Sequence, residues 1–139
     1  MIRLKLKSIA ETKGWDFVAA RRDYANLYQA AQLVNDTIEG VGVDKSVLIL
    51  DPVKFSRINS GEVTYSGSFM VLTRSDLKKT YDEKRILYID PLTNYLKTYL
   101  PESLRCQFDV LTWQCIEVVN ELDLNGDGYA VTFVLKSYE

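Results

Sequence analysis

The apolar positions of this chain change period several times, and each change marks an element. Near the N-terminus Ile2, Leu6 and Ile9 recur at helical spacing, with Gly14 placed to stop a helix after Lys13. The alternation Ile2, Leu4, Leu6 also permits a short strand there. In the stretch from Trp15 onward, Trp15, Phe17 and Ala19 alternate with polar or small residues, as a strand would, although the same residues also suit the start of a following helix. From Asp23, a good N-cap, the residues Tyr24, Leu27, Tyr28, Ala31, Val34 and Ile38 form a stripe at 3.6-residue spacing, closed by Gly40 and Gly42. Ser46-Val-Leu-Ile-Leu50 is a short continuous apolar run ended by Asp51-Pro52, the pattern of a buried strand. Lys54 to Gly61 is polar and turn-forming, with Asn59-Ser-Gly61 at its tip.

From Glu62 the period returns to two. Val63, Tyr65, Gly67 and Phe69 point one way, Thr64, Ser66, Ser68 and Met70 the other, and Gly67 suggests a bulge. The segment from Phe55 to Ser66 reads as a hairpin arm suited to contact with another subunit. Ser75 caps a helical stretch that continues through Tyr81, Ile86 and Ile89. Asp90-Pro91 reads as a second helix start, with Leu92, Tyr95, Leu96 and Tyr99 on one face and Pro101 as terminator. Arg105 to Leu122 reads as one long, bent strand. The order predicts an α+β fold: a mainly antiparallel sheet with helices packed on one face and a C-terminal β-hairpin. No linker, repeat or low-complexity tract interrupts residues 1–139, which predicts a single domain.

The segment Asp123-Leu-Asn-Gly-Asp-Gly128 has two readings. Asp123, Asn125 and Asp127 fall on positions 1, 3 and 5 of a calcium loop and Gly128 on position 6. Positions 9 and 12 are Val131 and Val134, so the second half of the ligand cage is missing. The other reading is a hairpin tip. Asn-Gly and Asp-Gly favour tight turns, and Tyr129, Val131, Phe133 and Leu135 then alternate as the apolar face of a strand. On the incoming side Ile116, Val118 and Leu122 alternate with Glu117, Val119 and Glu121. The hairpin is preferred. A calcium-modulated protein-binding module using Asp123, Asn125 and Asp127 is the alternative.

Composition narrows the chemistry. With no histidine, Ser-His and Cys-His nucleophile pairs are excluded, and Cys106 and Cys115 alone do not make a zinc site. Both cysteines are expected as buried, inert thiols in strands. Glu62, Glu83, Glu102, Glu117 and Glu121 read as solvated surface charges, which leaves a carboxylate enzyme as a remote reading. Neither glycine-rich phosphate loop is present. These features predict a non-enzyme with no catalytic, cofactor-binding or metal-binding residues. A net charge of −2 gives no reason to expect nucleic acid as the partner, and no apolar run approaches a membrane span. The N-terminus lacks the apolar core of a signal peptide, so the expected compartment is the cytoplasm.

Four segments together resemble small virion proteins of tailed bacteriophages infecting Bacteroidetes, of the tail-terminator or neck-ring (head-tail connector) kind. They are Trp15-Asp-Phe-Val18 leading to Asp23-Tyr-Ala-Asn-Leu27; Asp51-Pro52 after an apolar strand; Tyr65-Ser-Gly-Ser-Phe-Met-Val-Leu72 before Ser75-Asp76; and Val119-Asn-Glu-Leu-Asp-Leu-Asn-Gly-Asp-Gly128 before a terminal strand. The resemblance implies a small α+β subunit that joins copies of itself in a hexameric or dodecameric ring between head connector and tail. It implies neighbouring connector and tail proteins as partners, and assembly into a virion in the host bacterial cytoplasm. It brings no catalytic residues. The nine tyrosines fit interfaces as well as a core.

Overall fold

In the computed structural model the first helix, α1 (Ile2–Lys13), buries Ile2, Leu6, Ile9 and Ala10, while Leu4 is exposed. That phase decides for helix over strand. Gly14 follows with φ 75°, a conformation that only glycine adopts at little cost, and the chain leaves the helix there. The structure describes residues 2–19, 44–57, 61–74, 80–119 and 126–138. The expected helix from Asp23 to Ile38, the Ser75 cap, and Asp123 and Asn125 lie outside these residues.

Six strands form one mixed, mostly antiparallel sheet, and the fold is α+β. They are β1 (Asp16–Ala19), β2 (Ser46–Leu50), β3 (Lys54–Ser56), β4 (Glu62–Arg74), β5 (Asp109–Val118) and β6 (Gly126–Tyr138). The order is β1-β2-β4-β6-β5, and only the β1–β2 pair is parallel. β4 and β6 pair over their whole length, from Glu62 opposite Tyr138 to Arg74 opposite Gly126. β2 and β3 lie end to end along the other side of β4, divided at Asp51, Pro52 and Val53. Proline cannot donate a ladder bond, so the break falls there. Asp51 stays attached: its N–H donates to the Ser68 carbonyl (3.0 Å) and its carboxylate accepts from the Ser68 hydroxyl (2.7 Å).

Lys54 to Ser56 is therefore a short strand, where the sequence suggested a polar turn. Gly67 marks no bulge, because the β4–β6 register runs through it unbroken. A Cβ at Gly67 would come 3.2 Å from the Phe133 ring, so the glycine makes room for that ring. The bulge lies instead in β5, between Val110 and Thr112.

The second helix, α2 (residues 81–104), is continuous. It alternates α segments with two π turns, Arg85–Ile89 and Tyr95–Tyr99. Each π turn ends two residues before a proline, Pro91 and Pro101. Proline lacks an N–H and its ring pushes back the carbonyl four residues earlier, which favours a widened turn. Accordingly Asp90 N–H bonds to the Arg85 carbonyl, and Leu100 N–H to that of Tyr95. Asp90 is not an N-cap and Pro101 does not end the helix, which runs on through Leu104.

One face of the sheet carries the main core. Leu48, Leu50, Phe69, Val71, Tyr129, Val131, Phe133 and Leu135 pack with the buried residues of α1 and with Ile89, Leu92, Leu96, Leu100 and Leu104 of α2. Val47, Ile49 and Leu72 form a second cluster with Val18, Met70 and Val118, which alternate to the opposite face. Both described helices thus pack on the same face.

Candidate functional site

Asp127 does not sit at a hairpin tip. β6 begins at Gly126, so Asp127 opposes Thr73 and Gly128 opposes Leu72 and Val118 within the sheet. A Cβ on Gly128 would stand 1.9 Å from the Val71 carbonyl oxygen, so two backbones approach there as only glycine allows. The Asp127 side chain is fully buried, and its Oδ2 lies 3.9 Å from Nζ of Lys84, itself 4 % exposed. The carboxylate forms a buried ion pair with α2.

Around this pair, one end of the sheet holds a polar layer. Ser46 and Thr73, cross-strand partners, share a 2.7 Å hydroxyl hydrogen bond. Buried Tyr88 donates its hydroxyl to Asp44 Oδ1 at 2.7 Å. Asp44 has φ 66°, and its N–H donates to the Arg74 carbonyl at 2.7 Å. That left-handed residue is held where its exposed carboxylate meets the helix. Asp44, Ser46, Thr73 and Tyr88 form the polar side of an open groove of about 410 Å³, whose apolar side is Leu87, Pro91 and Leu92.

A second groove, of about 360 Å³, runs between α2 and the sheet's edge strand β5, lined by Thr93, Leu96, Lys97, Trp113, Cys115 and Tyr129. Its walls are pinned by Trp113 Nε1 donating to the Leu96 carbonyl (2.8 Å) and by a 2.6 Å bond between the Tyr129 and Thr93 hydroxyls. Burial pushes the Cys115 thiol pKa up, against an opposing hydrogen bond with Trp113.

Both cysteines are exposed, contrary to expectation, because Cys106 lies in the turn after α2 and Cys115 on an edge strand. Ile116, which alternates with Glu117 along the same edge strand, is 67 % exposed. Glu121 lies outside the described residues, and the other glutamates singled out in the sequence each have their own partner. Glu62 pairs with Lys136 (3.3 Å), Glu102 with Arg105 (3.2 Å) and Glu117 with Arg85 (3.1 Å), while exposed Glu83 accepts from Thr80. Among the described residues, no three histidine, cysteine, aspartate or glutamate side chains group as metal ligands.

The tyrosines divide. Tyr88 and Tyr129 are buried and Tyr65 and Tyr95 half-buried, while Tyr99 and Tyr138 are exposed. Tyr95 stands edge-on to Trp15, with Lys13 Nζ 4.3 Å above its ring centre. Sequence reasoning missed the Asp44–Tyr88 and Lys84–Asp127 pairs. One signal was present: Lys84 stands four residues before Tyr88 and eight before Leu92, on the buried stripe.

At the far end of the sheet β3 lies along β4, with Phe55 opposite Tyr65. β4 is paired there with β6 as well, from Glu62 opposite Tyr138, so this hairpin belongs to the sheet and does not project as the arm that the sequence suggested. Phe55 is 70 % exposed and lies between exposed Lys54 and Arg57. Comparison with protein-family models and with curated proteins gave no match.

Proposed function

We propose that this chain is a non-enzymatic structural subunit that assembles with copies of itself. The observation that carries this reading is Phe55, held 70 % exposed on the short hydrogen-bonded strand β3. An aromatic side chain with little freedom left to lose is a strong interface anchor. The edge strand β5 adds Leu111 and Ile116, 57 % and 67 % exposed, to the apolar surface. The setting, a ring of the phage neck or tail joining head connector to tail in the virion, rests on the sequence resemblance alone. The calcium-module reading is disfavoured because Asp127, its fifth-position ligand, faces Lys84 inside the fold.

Native mass measurement and negative-stain imaging of the purified chain test the proposal. A uniform closed oligomer is the expected result. A strict monomer across the accessible concentration range, which also fails to join connector or tail-tube proteins, overturns it.

A further inference from the structure

The sheet ends at β5, and the outer side of that strand has no ladder partner among the described residues. A row of edge N–H and C=O groups is continued as a ladder only by another extended backbone. Long edges are ordinarily blunted by proline, by lysine or by a covering element. β5 runs for 10 residues, contains neither proline nor lysine, and leaves Gln114, Cys115, Ile116 and Glu117 exposed in succession. Its two charges stand near its ends, each beside a cation of the same molecule: Asp109 lies opposite Lys136, and Glu117 pairs with Arg85. The stretch between them, from Val110 to Ile116, is uncharged and carries exposed Leu111 and Ile116. The bulge between Val110 and Thr112 leaves residues 112–118 as the regular part of the edge.

We infer that β5 pairs antiparallel with β5 of a second copy of this chain, about a two-fold axis. This rests on the self-assembly reading above and adds a contact to it. The outer strands on the other side of the sheet, β1 and β3, have 4 and 3 residues and are too short to match this edge, whereas β5 matches itself. Side-chain chemistry selects the register. An axis at Trp113 brings Asp109 close to the second copy's Glu117, and like charges across a ladder repel. An axis at Cys115 sets Trp113 against Glu117 and Gln114 against Ile116, polar against apolar each time. An axis at Gln114 avoids both. Thr112 then lies opposite the second copy's Ile116 on the face away from the helices. Trp113 lies opposite the second copy's Cys115 on the helix face, at the groove between α2 and β5. A two-fold contact closes a dimer by itself, and a larger assembly of equivalent copies that contains it has an even number of members.

Native mass measurement combined with hydrogen exchange tests this on the wild-type chain. The expected result is an even number of copies, with the amides of residues 112–118 exchanging several-fold more slowly in the assembly than in the diluted monomer. Ile116→Lys, at a side chain that is in solvent within one copy, is expected to at least halve the assembled mass with an unchanged melting temperature. In a Cys106→Ser background, a short bis-maleimide is expected to join the two Cys115 thiols and give covalent dimers. If the wild-type chain assembles while these amides exchange equally fast in both states, or while Ile116→Lys keeps the full mass, β5 is not the contact and self-assembly stands. A closed assembly with an odd number of copies overturns the pairing as well. Slowed amides without the Cys115 link overturn the register. If the wild-type chain is a monomer throughout, the self-assembly reading falls, and the pairing with it.

Discussion

Asp127 brings a carboxylate to complete burial near the end of the β4–β6 ladder, opposite Thr73 and within 3.9 Å of the Lys84 ammonium. Taking either charge out of water costs several kcal/mol, and the pair offsets this only while both members remain. Lys84→Met, which removes the ammonium beside the buried carboxylate, is therefore expected to cost about 3–5 kcal/mol in urea unfolding. Lys84→Met combined with Asp127→Val is expected to recover most of that loss. A double variant as unstable as the single one would show that the two side chains do not act as a pair. The next residue is constrained by space. Gly128→Ala forces a methyl group to 1.9 Å from the Val71 carbonyl oxygen, and the β4–β6 ladder must open to admit it. The expected loss is about 3 kcal/mol, at the upper end of overpacking costs. An alanine variant within experimental error of wild type would contradict that close approach.

At the scale of elements, α2 shows how two prolines change a helix without ending it. Its buried positions recur every four residues, at Lys84, Tyr88, Leu92, Leu96, Leu100 and Leu104. Five α turns take about 18 residues. Each π turn adds one more, so the stripe closes at residue 104 and stays on the sheet. The insertions also move neighbouring side chains out of the positions that a 3.6-residue period assigns them. Ile86 is 66 % exposed while Ile89 is fully buried, although both belong to the apolar pattern of the sequence. Ile89→Ala is accordingly expected to cost about 2–5 kcal/mol, and Ile86→Ala within about 0.5 kcal/mol, both read by denaturant unfolding. Equal losses at the two sites would mean that the helix is not phased in this way.

For the molecule as a whole, the sheet has two unlike ends. One carries the Lys84–Asp127 pair, the Asp44–Tyr88 bond and the groove beside them; the other carries the short strand β3 with exposed Phe55. The long β4–β6 ladder holds the two ends at a fixed separation. The groove along β5 and its exposed cysteine, by contrast, are pinned by internal hydrogen bonds from Trp113 and Tyr129.

The sequence by itself determined the features that depend on period and on local backbone preference. Helical spacing of Ile2, Leu6 and Ile9 with Gly14 behind them sets α1, and the apolar run from Val47 sets β2. Strict alternation from Tyr129 to Leu135 sets the buried face of β6. These signals are local, because the pitch of a helix and the pleat of a strand are written within a few residues. Tertiary structure alone decided where long-range partners lie. Asp127 and Gly128 read as turn residues because Asp-Gly favours turns. The strands beside them, reaching as far as Leu72 and Thr73, extended the ladder through both. Cys115 read as buried until β5 proved to be the edge of the sheet. Pro91 and Pro101 read as helix boundaries, and packing of the stripe against the sheet kept the helix continuous through π turns. The groove and its Asp44–Tyr88 clamp join residues 44 positions apart in the chain, a proximity that no local pattern encodes.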